Sequence, residues 1–363
     1  MKSKLFELCS IVIVLVTMQT GMSQELKLSS AGPLTFNSDG VLFVGDPLAA
    51  VVYAIEPTAN QEPVDPATVS YAIDGLDKKI AAALGVEASD ILIQDMAVNP
   101  TSGVIVLSVS RGKGPDAIPV LLTISGDNQI AELDLSKAKF TKAELPNAPG
   151  LEQKDRRGNS KRAFSITDIS FINNQVVVAG LSNEQFESNL RAIIYPFSST
   201  PNGTAVEVYH GAHGKYETNA PIRTFTSIMV DDKPCVVAAY TCTPLVRFSM
   251  SDLAEGKKIQ GTTVAELGNW NQPLDMIVYE ADDKEYILMA NSARGMMKID
   301  TADIGREVGI TEPVSNGGVA GQAFKLVEEL KTAVQLDRLN LTHAVAITKN
   351  ADGSFDLVTF RLP

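Results

Sequence analysis

Beyond its first two dozen residues the sequence lacks any apolar run long enough to cross a membrane, and it is short of basic residues. A membrane helix requires about 18 consecutive apolar residues, and no later segment approaches that length. Lysine and arginine number 31 against 43 aspartates and glutamates, a net charge of −12, and the charges are scattered. Such a chain repels phosphate backbones and anionic lipid heads, so we expect neither nucleic acid nor a membrane as a partner.

Familiar catalytic signatures are also missing. The sequence contains no nucleophile elbow, phosphate-binding loop, dinucleotide-binding fingerprint, zinc-protease helix motif or haem-attachment pair. Their absence favours a binding protein over an enzyme.

Residues 1–23 have the pattern of a secretory signal. Lys2 and Lys4 precede the apolar stretch LCSIVIVLVTM, and small residues follow at the spacing that a signal peptidase requires. We therefore predict export to the periplasm or the extracellular space, with a mature chain over residues 24–363. Removing the segment leaves 29 basic and 42 acidic residues, a net charge of −13.

Similar units recur along the mature chain. Each is a short strand, a polar turn and a second strand rich in valine, isoleucine and leucine, which is typical of a β-hairpin. The units start at Gly32, Asp95, Asp168, Ser227, Asp275 and His343. Because the starts lie 48 to 73 residues apart, each unit has room for four strands. This pattern predicts an all-β fold, a single β-propeller of six blades, with seven as the alternative because two spacings are long.

The propeller is expected to close on itself by pairing its terminal strands. We predict that residues 25–30 pair with the last unit. Helical segments are scarce, and the two candidates are residues 77–86 and 321–331.

The six hairpins, for example DMIVYEADDKEYILMANSARG from Asp275, resemble those of secreted bacterial β-propellers of the broad YVTN, NHL and lactonase-like type. The resemblance covers nearly all of the mature chain and concerns strand patterns, not a catalytic signature. It implies that the first strand of each blade lines a central channel. It also implies that the starts of these strands and the loops between second and third strands share one face, the top face.

Under that architecture the six unit starts converge on one channel mouth. Asp95, Asp168, Asp275 and His343 would then form an acidic ring. Unpaired carboxylates are costly in a narrow channel, so the ring needs a bound cation, shared protons or nearby arginines. The alternative is that each aspartate only accepts hydrogen bonds from backbone amides of its own turn.

Further polar residues are predicted on the same face and form the predicted ligand-binding set. They are Arg111, Arg247 and Arg294 in loops between second and third strands, and His210, His213 and Trp270 in loops that lead into first strands. Arg223 lies in one of the latter loops.

Two cysteines remain in the mature chain, Cys235 and Cys242, at opposite ends of the predicted strand CVVAAYTC. Seven residues at about 3.3 Å each would separate them by about 23 Å, whereas a disulfide requires Cα atoms about 4.4–6.8 Å apart. We therefore predict two free thiols, with Cys235 buried and Cys242 at the top face. Near His210 and His213, the Cys242 thiol could serve as a soft metal ligand.

Two functions fit these residues. The first is a monomeric binding protein whose top face holds a small polar ligand, a peptide or a protein partner. The second is a metal-dependent hydrolase resembling the six-bladed lactonases, in which the three aspartates bind a hard cation, Ca²⁺ first, and His343 is the general base. Those enzymes have a glutamate where Gly32 stands here, which counts against the second function.

Two other cofactor assignments stay open. His210 and His213 could bind Cu or Zn, because neutral imidazoles are common ligands of both ions. A redox role, as in quinoprotein-type propellers, is a third alternative for which the sequence supplies no cofactor site.

Overall fold

The structure is a computed structural model that describes residues 25–57, 65–242 and 244–363. These residues form 27 strands in six sheets arranged as a ring. The fold is therefore an all-β propeller, and six sheets exclude the alternative of seven blades. The predicted signal, residues 1–23, lies outside the described residues.

Each sheet is one blade, and the blades are numbered by the order of their innermost strands in the sequence. Blade 1 contains β1 (Leu34–Phe36), β2 (Leu42–Asp46), β3 (Val51–Ile55) and β9 (Phe140–Glu144). Blade 2 contains β5 (Ile91–Val98), β6 (Ile105–Arg111), β7 (Ile118–Ile124) and β8 (Ile130–Glu132). Blade 3 contains β10 (Asp168–Ile172), β11 (Gln175–Leu181), β12 (Ser188–Ile194), β13 (Thr204–His210) and β14 (Lys215–Glu217), with β18 (Lys258–Gln260) parallel to β13.

The remaining three blades follow the same plan. Blade 4 contains β15 (Ile222–Val230), β16 (Lys233–Tyr240), β17 (Pro244–Ser249), β19 (Thr262–Leu267) and β23 (Val319–Gly321). Blade 5 contains β20 (Pro273–Ala281), β21 (Lys284–Asn291), β22 (Gly295–Asp300) and β24 (Phe324–Val327). Blade 6 contains β25 (Ala333–Arg338), β26 (His343–Lys349), β27 (Phe355–Arg361) and β4 (Ala72–Ile73).

The order of the blades around the ring differs from their order in the sequence. The innermost strands contact one another in the cycle β1, β10, β15, β20, β25, β5 and back to β1. Blade 2 therefore lies between blades 6 and 1. The chain leaves blade 1 after three strands, adds β4 to blade 6, builds blade 2, and returns to add β9 to blade 1.

The hydrophobic core consists of six clusters, one at each interface between neighbouring blades. Phe43 of blade 1 packs with Val176 of blade 3, for example, while Val106 of blade 2 packs with Val44 of blade 1. The middle strands are buried along most of their length, because the two neighbouring blades cover the two faces of each blade. These six interfaces support the same ring order.

The ring closes through an internal strand, and the prediction for residues 25–30 was wrong. In blade 6, β4 pairs with β27, where Ile73 lies opposite Leu357. Residues 25–30 form no strand; Leu26 packs into the interface of blades 1 and 2, and the Ser29 N–H donates to Asp46.

Helix is limited to one α-helix and short 3₁₀ turns in the described ranges. The predicted helix at 77–86 is confirmed as α1 (Leu76–Leu84), whose Leu76 and Ile80 face the core and which ends at Gly85 in the left-handed conformation. The prediction of a helix at 321–331 was wrong. Part of that segment forms β24, which pairs with β22, and the residues after β24 form a 3₁₀ turn. The 3₁₀ turns are Pro66–Thr68, Ala88–Asp90, Gly114–Asp116, Arg162–Phe164, Met250–Asp252, Ser315–Gly317 and Glu328–Leu330.

A search of the helices in the described residues found none with the length and apolar content needed to cross a membrane.

Candidate functional site

The innermost strands β1, β5, β10, β15, β20 and β25 surround the central channel, and the face at which they begin is the top face. Asp168 opens β10 and Asp275 is the third residue of β20, whereas Asp95, predicted to open its strand, is the fifth of the eight residues of β5. All three line the channel. His343 does not: it opens β26, the second strand of blade 6, and so lies at the opposite, bottom face. The prediction that His343 joins the acidic ring was wrong because the innermost strand of that blade is β25.

The three aspartates connect neighbouring blades. The Oδ2 atom of Asp168 accepts a hydrogen bond from the Phe225 N–H of blade 4 at 2.7 Å, and its Oδ1 atom accepts one from the Ile169 N–H at 2.8 Å. Asp95 accepts in the same way from Leu34 and Met96. The Asp275 carboxylate accepts from the Leu336 and Met276 N–H groups.

These connections alternate around the ring. The aspartates of blades 2, 3 and 5 accept from blades 1, 4 and 6, so the six blades are joined in three pairs. Both carboxylate oxygens of each aspartate are occupied by backbone N–H groups. The alternative reading of these residues as backbone acceptors therefore describes their hydrogen bonds, although half the partners come from the next blade.

A fourth buried acid, Asp337, was missed by the sequence analysis. It lies on β25 and accepts hydrogen bonds from the Val98 N–H at 2.7 Å and the Arg338 N–H at 2.7 Å. It thereby joins blade 6 to blade 2. The signal lies in the segment AVQLDRL, which precedes the unit start at His343 and forms the innermost strand of blade 6.

The aspartates form the waist of the channel. Above them, at the top face, is a cavity of about 710 Å³, and below them is a second one of about 400 Å³. Asp95, Asp168 and Asp275 belong to the walls of both cavities, and Asp337 belongs to the lower wall. The upper cavity has an acidic floor, and its volume is typical of small-molecule sites.

Polar side chains line the wall of the upper cavity above that floor. They include Gln94, Gln272, Gln335, Arg223, Thr224 and Lys349. The Arg223 guanidinium lies 5.7 Å from the centre of the Phe164 ring and donates to the Gln272 amide oxygen in the amide orientation that satisfies both groups. Burial lowers the pKa of Arg223, although guanidinium groups keep their charge in proteins.

The floor carboxyl groups are difficult to ionise together. Burial raises the pKa of Asp168 to about 7, and the nearby Asp275 adds to the effect. Burial also raises the pKa of Asp95, with Asp168 contributing, and that of Asp275, with Asp95 contributing, well above the usual value. Burial raises the pKa of Asp337 to about 6. Among the described residues, none of the ion pairs includes one of these four carboxylates.

The predicted arginines do not line the upper cavity. Arg111 ends β6 at the top face. Arg247 lies within β17, where its Nη2 atom donates to the Arg306 carbonyl oxygen at 3.0 Å. Arg294 follows β21, and its guanidinium packs against Gly268.

Trp270 also lies outside the cavity wall. Its side chain is 90% exposed in the loop before β20, so it does not pack against its neighbours as a core residue would. Within the described residues, no aromatic ring contacts Trp270. Its side chain is therefore accessible to a binding partner.

His210 and His213 lie together at the outer rim of the top face. His210 ends β13, and both Nδ1 atoms contact the Glu217 carboxylate, at 3.2 Å for His210 and 2.7 Å for His213. Within the described part of the chain, these three residues are the group that brings three potential metal ligands within 4.8 Å of one another. The aspartates of the channel waist do not approach so closely.

The prediction for the cysteines is confirmed. Cys235 and Cys242 are both free, Cys235 is buried, and Cys242 is half-buried in the turn after β16. The third potential ligand beside the histidines is Glu217 and not Cys242.

No family model and no curated protein sequence matches the chain. Among solved structures, it is similar to the PQQ-bound form of an aldose sugar dehydrogenase from Streptomyces coelicolor, with 10% identity, a TM-score of 0.34 and coverage of 93% of this chain and 96% of that chain. It is also similar to an engineered GH43 glycoside hydrolase with endo-xylanase and exo-arabinofuranosidase activity, with 14% identity, a TM-score of 0.34 and coverage of 72% of this chain and 48% of that chain. Such values support no inference about a shared ligand or reaction.

Proposed function

We propose that the protein is a binding propeller whose upper cavity holds a small polar ligand that presents an ammonium group to the aspartate floor. The observation that carries this proposal is the set of three carboxylates below a cavity of about 710 Å³, with no cationic side chain paired to them among the described residues. Charge buried without a partner is costly. A ligand ammonium group would offset that cost.

The wall of the cavity supports a ligand that is polar over its whole length. Amide groups of Gln94, Gln272 and Gln335 offer both donors and acceptors. Arg223, held over Phe164, and Lys349 add two positive charges on the wall. A ligand with an ammonium group at one end and hydroxyl or carboxylate oxygens at the other would match both ends of the cavity.

The proposal predicts a specific pH dependence of binding. An ammonium ligand favours ionised aspartates, so its binding should strengthen as the pH rises through the pKa of Asp168, about 7. A neutral sugar would not show this dependence.

Calorimetric titration tests this function with amino sugars, diamines and neutral sugars as probes, at pH 6 and pH 8. We expect an amine to bind more tightly at pH 8, and Asp168→Asn to weaken that binding about tenfold or more, the effect of losing one charged contact. Asp134→Asn, which alters an exposed carboxyl group outside the cavity, is the matched control. Binding that is equal in both variants would contradict the proposal.

Calcium belongs in the same titration, because the hydrolase alternative requires it at the aspartates. Tight Ca²⁺ binding that is lost in Asp168→Asn would favour that alternative over the ammonium ligand. His343 lies at the bottom face, so such an enzyme would need a different general base.

The proposed compartment is the periplasm or the extracellular space, on the strength of residues 1–23. N-terminal sequencing of protein recovered from the exported fraction should give a start near Gln24. We further propose that the mature protein is a monomer, which light scattering of purified material would test.

A further inference from the structure

The hairpin formed by β13 and β14 carries a second site, separate from the central channel. His210 ends β13, His213 lies in the turn, and Glu217 ends β14. Antiparallel pairing places His210 opposite Lys215 and Val208 opposite Glu217. Because residues two apart on a strand share a face, His210 and Glu217 lie on the same side of the hairpin.

We propose that His210, His213 and Glu217 bind a divalent transition-metal ion such as Zn²⁺ at the rim between blades 3 and 4. Two imidazoles and one carboxylate are a ligand set found in zinc sites. Ligand atoms about 2.0–2.2 Å from a tetrahedral ion lie about 3.3–3.6 Å from one another. The N···O distance of 3.2 Å between His210 and Glu217 is close to that separation. The 2.7 Å between His213 and Glu217 is shorter, so the exposed His213 ring would move outward to admit an ion.

The three ligands differ in their exposure in a way that suits metal entry. The His210 side chain is 4% exposed and that of Glu217 is 15% exposed, whereas that of His213 is 48% exposed. Two ligands are therefore held in place and the third can swing. The imidazole rings are already together, with centroids 3.9 Å apart.

The surroundings hold the buried part of the site in position. The Gly211 N–H donates to Glu266 of blade 4, and the Gly211 carbonyl accepts from the Val314 N–H at 2.9 Å. A side chain at Gly211 would meet Val314 at 2.9 Å and Glu266 at 3.1 Å, so only glycine allows this close approach. The turn between the two histidines is thereby fixed against the neighbouring blade.

Two buried polar atoms lie beside the hairpin, behind the proposed ligand His210. His210 Nε2 and Glu266 Oε2 are both buried, and neither has a hydrogen-bond partner among the described residues. Orphaned polar atoms in a buried location are costly. With His210 Nδ1 on a metal ion, its Nε2 would carry a proton, and the nearby Glu266 carboxylate could accept it, as carboxylates do behind zinc-bound histidines.

A lysine beside Glu217 does not obstruct the site. Lys215 lies 3.8 Å from Glu217, yet its side chain is 66% exposed and is free to turn towards solvent.

The test is titration of the metal-free full-length mature protein with Co²⁺, followed by displacement with Zn²⁺. We expect one equivalent of Co²⁺ to give the intense visible bands of a tetrahedral site, without the near-ultraviolet band that a thiolate produces. His213→Ala should weaken binding about 10- to 100-fold or more, and because the residue is exposed this variant should fold normally. His343→Ala, which removes a histidine at the opposite face, and Cys242→Ser are the matched controls.

Three results would overturn the proposal. They are absence of Co²⁺ binding at millimolar concentration, binding that is unchanged in His213→Ala, and binding that is lost in Cys242→Ser or His343→Ala instead. A second variant, Glu217→Gln, preserves the shape of the hairpin while removing the anionic ligand, and it should weaken Zn²⁺ binding without a loss of secondary structure by circular dichroism. Failure of this site would leave the proposed ligand of the central cavity unaffected, because the two sites share no residue.

Discussion

Replacing Asp168 by asparagine should change the free energy of unfolding in opposite directions at low and high pH. The residue at the channel waist has a pKa of about 7 in the folded protein, against an ordinary value of 3.8. A carboxyl with a raised pKa contributes stability that is fully present below the ordinary value and is lost as the pH rises through the folded value. A difference of about three between the two pKa values corresponds to about 4 kcal/mol.

Replacing Asp168 by asparagine removes this pH dependence of the free energy of unfolding and also removes one hydrogen bond. The Asp168 oxygens accept from the N–H groups of Phe225 and Ile169 and from the Thr224 side chain. The asparagine amide presents one oxygen in place of two, so it can accept only one of the two N–H bonds. The N–H left without a partner costs about 1–3 kcal/mol. We therefore expect the variant to be less stable than the wild type by about 1–3 kcal/mol at pH 4. At pH 8 it should be more stable by a similar amount.

Urea unfolding of both proteins at several values between pH 4 and pH 8 measures the difference. Asp134→Asn is the control, because the hydrogen bond from Ser136 lowers the pKa of that exposed carboxyl, and any change it causes should not turn stabilising as the pH rises. Parallel stability curves for wild type and Asp168→Asn would refute the reasoning. They would mean that Asp168 is ionised throughout and that its charge is compensated by a group the structure does not contain.

Two further predictions concern the closure of the ring and the thiols. Ile73→Ala should lower the free energy of unfolding by about 2–5 kcal/mol, because Ile73 is 1% exposed and lies opposite Leu357 in the pairing that closes blade 6. Chemical denaturation measures this change. An effect no larger than that of Ile194→Ala, at a position that is 62% exposed, would contradict the prediction. Alkylation of the native protein followed by mass spectrometry should modify Cys242 but not the buried Cys235, which should react only after unfolding; equal reaction rates would show that the blade opens readily.

The six blades were predictable from the sequence. The innermost strand of the last blade and the order of the blades around the ring were not. Strand–turn–strand units rich in valine, isoleucine and leucine identified one hairpin in each blade, and the geometry of a strand separated Cys235 from Cys242. In the last unit the most apolar hairpin is β26–β27, and its pattern therefore predicts that His343 begins an innermost strand. The true innermost strand is the more polar β25, with Asp337. The channel admits polar side chains on innermost strands, and hydropathy alone therefore misplaces them.

The order of the blades depends on contacts that no local pattern reports. Strand β4 is two residues long and pairs with β27, more than 280 residues away in the sequence. A pair so short has almost no signature of its own. Likewise, nothing in the sequence predicts that Glu217 contacts the histidines, because the pairing of β13 with β14 brings them together. The histidine pair itself was visible in the sequence, as HGAH.

The repeated aspartates can join the blades and also contact the proposed ligand, because the two roles use different lone pairs of the carboxylate oxygens. A carboxylate accepts about four hydrogen bonds, and backbone N–H groups supply two at each of Asp95, Asp168 and Asp275, one from the same blade and one from the next. The Thr224 side chain also donates to Asp168, and all three carboxyl groups line both channel cavities. Neutral side chains could join the blades at lower electrostatic cost, as Asp168→Asn should demonstrate at pH 8. A positively charged ligand, as proposed above, would lower the cost of ionising these carboxyl groups, which no cationic side chain pairs within the described residues.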